Sequence, residues 1–127
     1  MISHIMIFFL VFLPLIVDVV RATSEDVRVR FRMADGYKSM TPCQQDCAAG
    51  RGTYSWLYST VSGLMCGDSY DCVCADPQRI ADELDICLNH YSACWTVNNY
   101  NTIIEFFGKE CGFQPIYKVC SYNRSIP

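Results

Sequence analysis

Apolar residues along this 127-residue chain recur at helical spacing in several places. Thr41 is a good N-cap, Pro42 suits the first helical position, Gln44 completes a capping box, and Gly50 is a helix stop. This pattern predicts a short helix between Thr41 and Gly50. A second run, which starts at Thr53, also has helical spacing in its apolar residues: Tyr54, Leu57, Tyr58, Val61, Leu64 and Met65.

Two further helices are predicted in the second half of the chain. Asp76 and Pro77 cap a helix with one apolar side: Ile80, Leu84, Cys87, Leu88, Tyr91 and Cys94. Another runs from about Asn98 to Phe107, with Gly108 near its end. Its inward residues are Tyr100, Ile103, Ile104 and Phe107. The pattern therefore predicts an all-α domain.

The flanking segments have other patterns. Residues 27–33 (VRVRFRM) alternate apolar and basic positions, which is typical of a strand with one solvent-exposed face. The chain has no second alternating run that could pair with this strand. We therefore expect an edge strand or a loosely held, extended arm over 23–40; a basic stripe for an acidic partner or a membrane surface is the alternative. Residues 113–127 contain two prolines and predict an extended C-terminal tail.

The first 22 residues have the features of a signal peptide. Residues 5–17 are almost wholly apolar, which matches a signal-peptide core and falls short of the ~20 residues of a membrane span. Val20 and Ala22 are small residues before the expected cut. The sequence thus predicts a secreted protein without a membrane span in its mature form, beginning at Thr23. A retained anchor is the alternative, and N-terminal sequencing distinguishes the two.

All nine cysteines lie after Ala22, in a short segment. Such density in a small secreted chain indicates a disulfide scaffold. The formal net charge of −3 argues against a nucleic-acid partner. His90 is the one histidine after Ala22, and no nucleophile-elbow, zincin, Walker A or dinucleotide motif occurs. We therefore expect no enzymatic activity.

The cysteine spacing is specific. From Cys43 to Cys111 it reads C-x3-C-x18-C-x5-C-x-C-x12-C-x6-C-x16-C, with Pro42 just before the first cysteine. This order resembles the CFEM domain of fungal extracellular proteins, over residues 41–112. The gaps of eighteen and six residues are longer than usual, and Cys120 is extra. The tail cannot serve as a glycolipid-anchor signal, so the resemblance implies a released member.

Some members of that family bind haem, through an aspartate three residues before the fourth cysteine. Here that position is Ser69, while Asp68 and Asp71 lie four and one before Cys72. The resemblance therefore implies Asp68 as the candidate ligand of ferric iron, with Asp71 or the Tyr70 phenolate as alternatives. Residues that could cover or stack on the porphyrin are Tyr70, Trp56, Tyr58 and Leu64. Asp68 could instead cap or close the loop, and because the register is displaced we expect weak or absent haem binding rather than tight binding.

Eight cysteines allow 105 pairings, which spacing alone does not resolve. Antiparallel packing of the helices that carry them favours Cys43–Cys94 and Cys47–Cys87, provided that the second helix frays near Cys94. An extended C-x-C is too short to bond to itself, which favours Cys66–Cys72 and Cys74–Cys111. The CFEM resemblance implies the same four pairs. Cys120 is then free or joins two chains as a disulfide-linked dimer.

Two functions remain open from the sequence. The first is a CFEM-like module that binds haem or another small, flat apolar ligand. The second is an effector or interaction protein that displays its surface to a host or cell-surface protein and holds no small molecule. Asn123 lies in an N-glycosylation sequon near the C-terminus, for which we expect partial occupancy; an unchanged mass after glycosidase treatment would contradict this.

Overall fold

The structure is a computed structural model that describes residues 26–51 and 58–119. Within these ranges every regular element is helical, which confirms the predicted all-α class. The elements are α1 (Val27–Arg32), α2 (Asp35–Lys38), α3 (Pro42–Ala48), α4 (Thr60–Leu64), α5 (Tyr70–Cys74), α6 (Pro77–Ile86), a π-helical turn (Cys87–Tyr91) and α7 (Val97–Cys111). Residues 113–119 then run without helix or strand, as predicted for the start of the tail.

Several predictions lie outside the described residues. These are the signal peptide with its cut after Ala22, the first part of the predicted second helix with Trp56, the state of Cys120, and the sequon at Asn123. They stay predictions from the sequence.

The prediction of a strand or loose arm over residues 27–33 is wrong, because the segment forms helix α1. Asp26 caps this helix by accepting a hydrogen bond from the N–H of Arg28. Val27 and Phe31 lie one turn apart, so the helix turns both into the core, where each is 1% exposed. Helix α2 follows directly and buries Tyr37. The N-terminal part of the described chain is therefore an integral part of the fold.

Helix α3 begins and ends where the sequence predicts. The Thr41 hydroxyl accepts a hydrogen bond from the N–H of Gln44, whose side-chain oxygen accepts one from the N–H of Thr41. Gly50 has a φ of 77°, a left-handed conformation that favours glycine and ends the helix.

The next predicted helix is shorter than its apolar pattern suggests. Tyr58 and Ser59 are not helical, and α4 begins at Thr60 because the Ser59 hydroxyl caps it by accepting from the N–H of Ser62. Met65, which the pattern places with the inward residues, has a left-handed backbone and is 87% exposed. The amphipathic stretch in the described chain therefore reduces to a little more than one turn.

Helix α6 starts at Pro77, and Asp76 caps it by accepting from the N–H groups of the next two residues after the proline. Its last turn widens into the π-helical turn, which ends at Tyr91. Cys94 therefore lies beyond the helix, as the predicted fraying near this cysteine requires. Tyr91 is exposed rather than on the buried side.

Helix α7 is longer than predicted and continues to Cys111, because Gly112 (φ 81°), not Gly108, is its left-handed stop. Gly108 is a buried helical residue over which the chain folds back. A Cβ at this position would lie 2.8 Å from the Phe113 carbonyl oxygen and 2.9 Å from Pro115 Cγ. The absence of a side chain at Gly108 thus lets residues 113–119, here called the strap, pass close to α7.

One core joins all the helices, and its largest fully buried residues come from α1, α6, the π-helical turn and α7. They include Phe31, Phe107, Ile80, Leu84, Leu88, Ile103 and Ile104. Phe31 stacks on Tyr70 with ring centroids 5.0 Å apart, and the ring centroid of Phe107 lies 5.4 Å from that of Phe31. The aromatic contacts fasten α1 to α5 and α7.

Four disulfides link these elements: Cys43–Cys94, Cys47–Cys87, Cys66–Cys72 and Cys74–Cys111. They are the same four pairs that the sequence favours. The C-x-C segment is helical rather than extended, since Cys72 and Cys74 both lie on α5. A disulfide in a small domain typically adds about 2–4 kcal/mol, so this set carries a large part of the stability.

Candidate functional site

The loop between Cys66 and the first turn of α5 holds Asp68, the candidate iron ligand, between two fixed neighbours. The Gly67 carbonyl oxygen accepts a hydrogen bond from the Val27 N–H at 3.1 Å. The N–H of Ser69 donates to the Cys66 carbonyl at 3.0 Å, and the Ser69 hydroxyl caps α5. It is Ser69, not Asp68, that acts as the cap. The Asp68 side chain is exposed.

Asp71 is exposed as well, in the first turn of α5. Among the residues that the structure describes, no group of three or more histidine, cysteine or acidic side chains is arranged to hold a metal ion. The predicted site therefore offers a metal-containing ligand two exposed carboxylates, Asp68 and Asp71, and no cluster of three or more donors among the described residues.

Tyr70 has a structural environment that does not favour a role as a phenolate ligand. Its hydroxyl donates to the backbone carbonyl of Glu110, its ring stacks on Phe31, and the Arg30 guanidinium lies 4.5 Å above the ring centroid. Burial raises the pKa of Tyr70, the charge of Glu110 raises this pKa further, and Arg30 opposes them. The phenol thus keeps its proton and fastens α5 to α7.

Two of the predicted covering residues that the structure describes, Leu64 and Tyr58, are engaged in other contacts. Leu64 is 2% exposed and belongs to the core. The Tyr58 ring stacks on Tyr91, with centroids 4.3 Å apart, and Trp56 lies outside the described residues. A shallow groove of about 220 Å³ does pass beside Gly67, and Met65 is among its lining residues.

A second groove, which the sequence does not predict, lies between α6, α7 and the strap. Its volume is about 240 Å³. The wall is largely apolar, with Ala81, Tyr100, Ile104, Phe113 and Ile116. Asp85 and Lys118 contribute opposite charges to the same lining.

The Lys118 ammonium is held in a cage at this groove. Lys118 Nζ lies 2.7 and 2.8 Å from the two carboxylate oxygens of Asp85. It also lies 4.7 Å from the ring centroid of Trp95 and 4.6 Å from that of Tyr100. An ammonium between two aromatic faces and a carboxylate combines an ion pair with two cation–π contacts.

The backbone of Lys118 is held too. Its N–H donates to Asn101 Oδ1 at 2.8 Å, and its carbonyl oxygen accepts from Asn101 Nδ2 at 2.9 Å. Burial raises the pKa of Tyr100, and the charges of Asp85 and Asp82 raise this pKa further, so the ring meets the ammonium as a neutral phenol. The arrangement binds an amine-bearing, extended residue.

The sequence gives little indication of this cage. Asp85 and Lys118 are 33 positions apart, and Lys118 lies in a segment predicted only as an extended tail. A basic residue that follows an apolar stretch is a weak signal, since most such residues are simply solvated.

Comparison of the chain with protein-family models, with curated proteins and with solved structures finds no match. In the described ranges, the helices are too short or too polar to cross a membrane.

Proposed function

We propose that this protein is a secreted, disulfide-stapled binding protein of the CFEM kind, which captures haem or another flat apolar ligand. The cysteine spacing and four disulfides that tie small helices together support the family, and disulfides of this density are typical of oxidising, extracellular compartments. The observation that supports an iron-containing ligand is the position of Asp68. Its carboxylate is exposed, and the backbone groups of the residues on both sides of it are held by hydrogen bonds.

A carboxylate is a hard donor suited to ferric iron, and reduction of the iron would weaken the bond. Because Asp68 is exposed, the ligand would lie on the surface of the domain, with the exposed Met65 side chain near in sequence as apolar cover. Leu64 and Tyr70 are engaged in the packing of the domain and do not contribute a second wall. The proposal is therefore weak, open-faced binding rather than a tight enclosed site.

A titration of the purified secreted protein with ferric haem tests this proposal. We expect a shifted Soret band, and we expect Asp68→Ala to weaken binding by at least about tenfold, or roughly 1.4 kcal/mol. Asp71→Ala tests the alternative ligand in the same loop. Asp35→Ala, which removes an exposed carboxylate from α2, is the matched control and should bind as the unaltered protein does.

The outcomes separate clearly. A Soret shift that Asp71→Ala abolishes and Asp68→Ala leaves intact would identify Asp71, not Asp68, as the iron ligand. A shift that neither variant affects removes the loop from the proposal. No shift at all in protein with its four disulfides intact overturns haem capture.

The second candidate is an interaction protein without a small-molecule ligand, such as a secreted effector that meets a host or cell-surface protein. One observation favours it: the strap carries three exposed apolar side chains, Ile116, Tyr117 and Val119, at 74%, 49% and 68% exposure. Absence of haem binding together with a folded, oxidised domain is the result expected of this candidate.

A further inference from the structure

The strap is held as a bound peptide would be. Asn101 pairs with both the N–H and the carbonyl of Lys118, as a neighbouring β-strand pairs with an extended peptide. Asp85, Trp95 and Tyr100 receive the side chain of the same residue. Every polar group of one lysine is therefore recognised, and all the recognising groups belong to the body of the domain.

The strap joins the body at two places, through Phe113 and Pro115 beside Gly108 and through Lys118 in the cage. It starts after Gly112, whose left-handed φ of 81° follows directly on the disulfide-bonded Cys111. Phe113 packs against the core and Lys118 occupies the cage, but Ile116, Tyr117 and Val119 remain largely exposed.

We propose that the cage of Asp85, Trp95 and Tyr100, together with the Asn101 side chain that bonds the lysine's backbone, is a binding site for an extended lysine-bearing segment. Its occupant is the strap of a second copy of this chain, taken by exchange. A second copy carries the one sequence that is seen to fit the cage. Exchange recreates each of these contacts between chains, and the conformational change falls on the hinge around Gly112.

The contact that exchange recreates does not cover Ile116, Tyr117 or Val119, because these side chains are exposed while Lys118 fills the cage. What favours a second copy is that exchange also holds two bodies side by side, where these exposed side chains can pack on the neighbouring body as an additional contact and remove apolar area from water. The site is independent of the Asp68 loop, so this inference does not depend on haem binding.

Reciprocal complementation tests the exchange. Both proteins carry Cys120→Ser, so that association cannot arise from an interchain disulfide. The cage variant, Asp85→Asn with Asn101→Ala, keeps its own lysine but receives one more weakly, because it has lost the ion pair and the two backbone hydrogen bonds. The strap variant, Lys118→Ala, keeps its cage but offers no lysine. Each alone lacks a complete contact, whereas the mixture can form one intact contact between chains.

We expect the equimolar mixture to show a heterodimer by sedimentation velocity and native mass spectrometry, at about tenfold the dimer fraction of either variant alone. The matched control replaces the strap variant with Lys109→Ala, which removes an exposed lysine from α7 and leaves the cage filled by its own Lys118. This control mixture should form much less heterodimer. A mixture that stays as monomeric as its components, with circular dichroism showing all of them folded, overturns the proposal.

A second measurement tests the proposal without the cage variant, and it applies if that variant fails to fold. The Lys118→Ala protein is titrated with the peptide FQPIYKV, which is the sequence of residues 113–119, and with FQPIYAV. Tighter binding of the lysine peptide, by about tenfold, supports recognition of a strap from another molecule. Equal binding of the two peptides overturns it. Lysine-dependent peptide binding without heterodimer formation overturns the second copy as the occupant and leaves the strap of the same chain in that role.

Discussion

Phe31→Ala tests whether the N-terminal helix belongs to the core. Phe31 is 1% exposed, and its ring lies 5.0 Å from that of Tyr70 at an interplanar angle of 10°. The ring centroids of Phe107 and Phe106 lie 5.4 and 6.1 Å from that of Phe31. Truncation removes all three aromatic contacts and leaves a cavity between α1, α5 and α7.

The expected loss of stability follows from this burial. A buried phenylalanine replaced by alanine costs about 3–5 kcal/mol, and the stacked and tilted ring pairs place this site in the upper half of that range. We expect a loss of about 4 kcal/mol. In a domain of this size each kcal/mol lowers Tm by roughly 4–8 °C, so Tm should fall by about 15 °C or more.

The measurement is denaturant unfolding of the oxidised protein, followed by circular dichroism. Met33→Ala, at the C-cap of the same helix and 70% exposed, is the matched control and should change stability by less than about 0.5 kcal/mol. A loss below about 1 kcal/mol for Phe31→Ala, similar to that of the control, would show that residues 27–32 are a loosely held arm after all.

Three other substitutions give sharp expectations. Tyr70→Phe keeps the ring stack but removes the hydrogen bond to the Glu110 carbonyl, so denaturant unfolding should show a loss of about 1 kcal/mol; no loss would mean that this bond contributes nothing. Asp85→Asn should lower stability by about 1 kcal/mol or less, because the side chains of Asp85 and Lys118 are 33% and 40% exposed, and the difference should shrink in about 1 M salt; an effect that grows with salt would contradict the ion pair. Burial raises the pKa of Glu83, one of whose carboxylate oxygens is buried without a hydrogen-bond partner among the described residues, so the folded state loses stability as the pH rises from about 4.3 through this raised pKa. Glu83→Gln should therefore raise Tm at about pH 7 and leave it unchanged at about pH 3, and a lower Tm at neutral pH would refute this.

The parts of the fold that could be predicted are those with local signals. The caps at Thr41 and Asp76 and the stop at Gly50 involve residues within a few positions of one another, so the sequence displays them directly. The apolar face of α7 repeats over several turns, which gives a clear helical period. The all-α class follows from such elements.

Helix α1 could not be distinguished from a strand by its pattern, because apolar positions 27, 29 and 31 satisfy a period of two and also place Val27 and Phe31 one helical turn apart. The choice depends on partners far along the chain, Phe106 and Phe107 among them. Propensity and pattern give way to tertiary packing at such a site.

The same limit applies to the candidate sites. The position of Asp68 in a bridged loop could be predicted, since the loop closes within six residues. The packing of Leu64 in the core and of Tyr70 against it could not be predicted, because apolar and aromatic residues serve a core or a pocket equally. The cage around Lys118 depends on the close approach of α6, α7 and the strap, which no local pattern records.

The order of the disulfides along the chain determines what happens when the backbone is cut. A single cleavage between Cys47 and Cys66 would separate a fragment that carries Cys43 and Cys47 from one that carries both of their partners. The two fragments would stay joined by two covalent bonds, and the nicked protein would migrate as one species on a non-reducing gel and as two after reduction. A cleavage just after Gly112 would instead detach the strap from the domain and leave all four bridges in place. Limited proteolysis could thus remove the lysine from its cage in a domain that is otherwise whole.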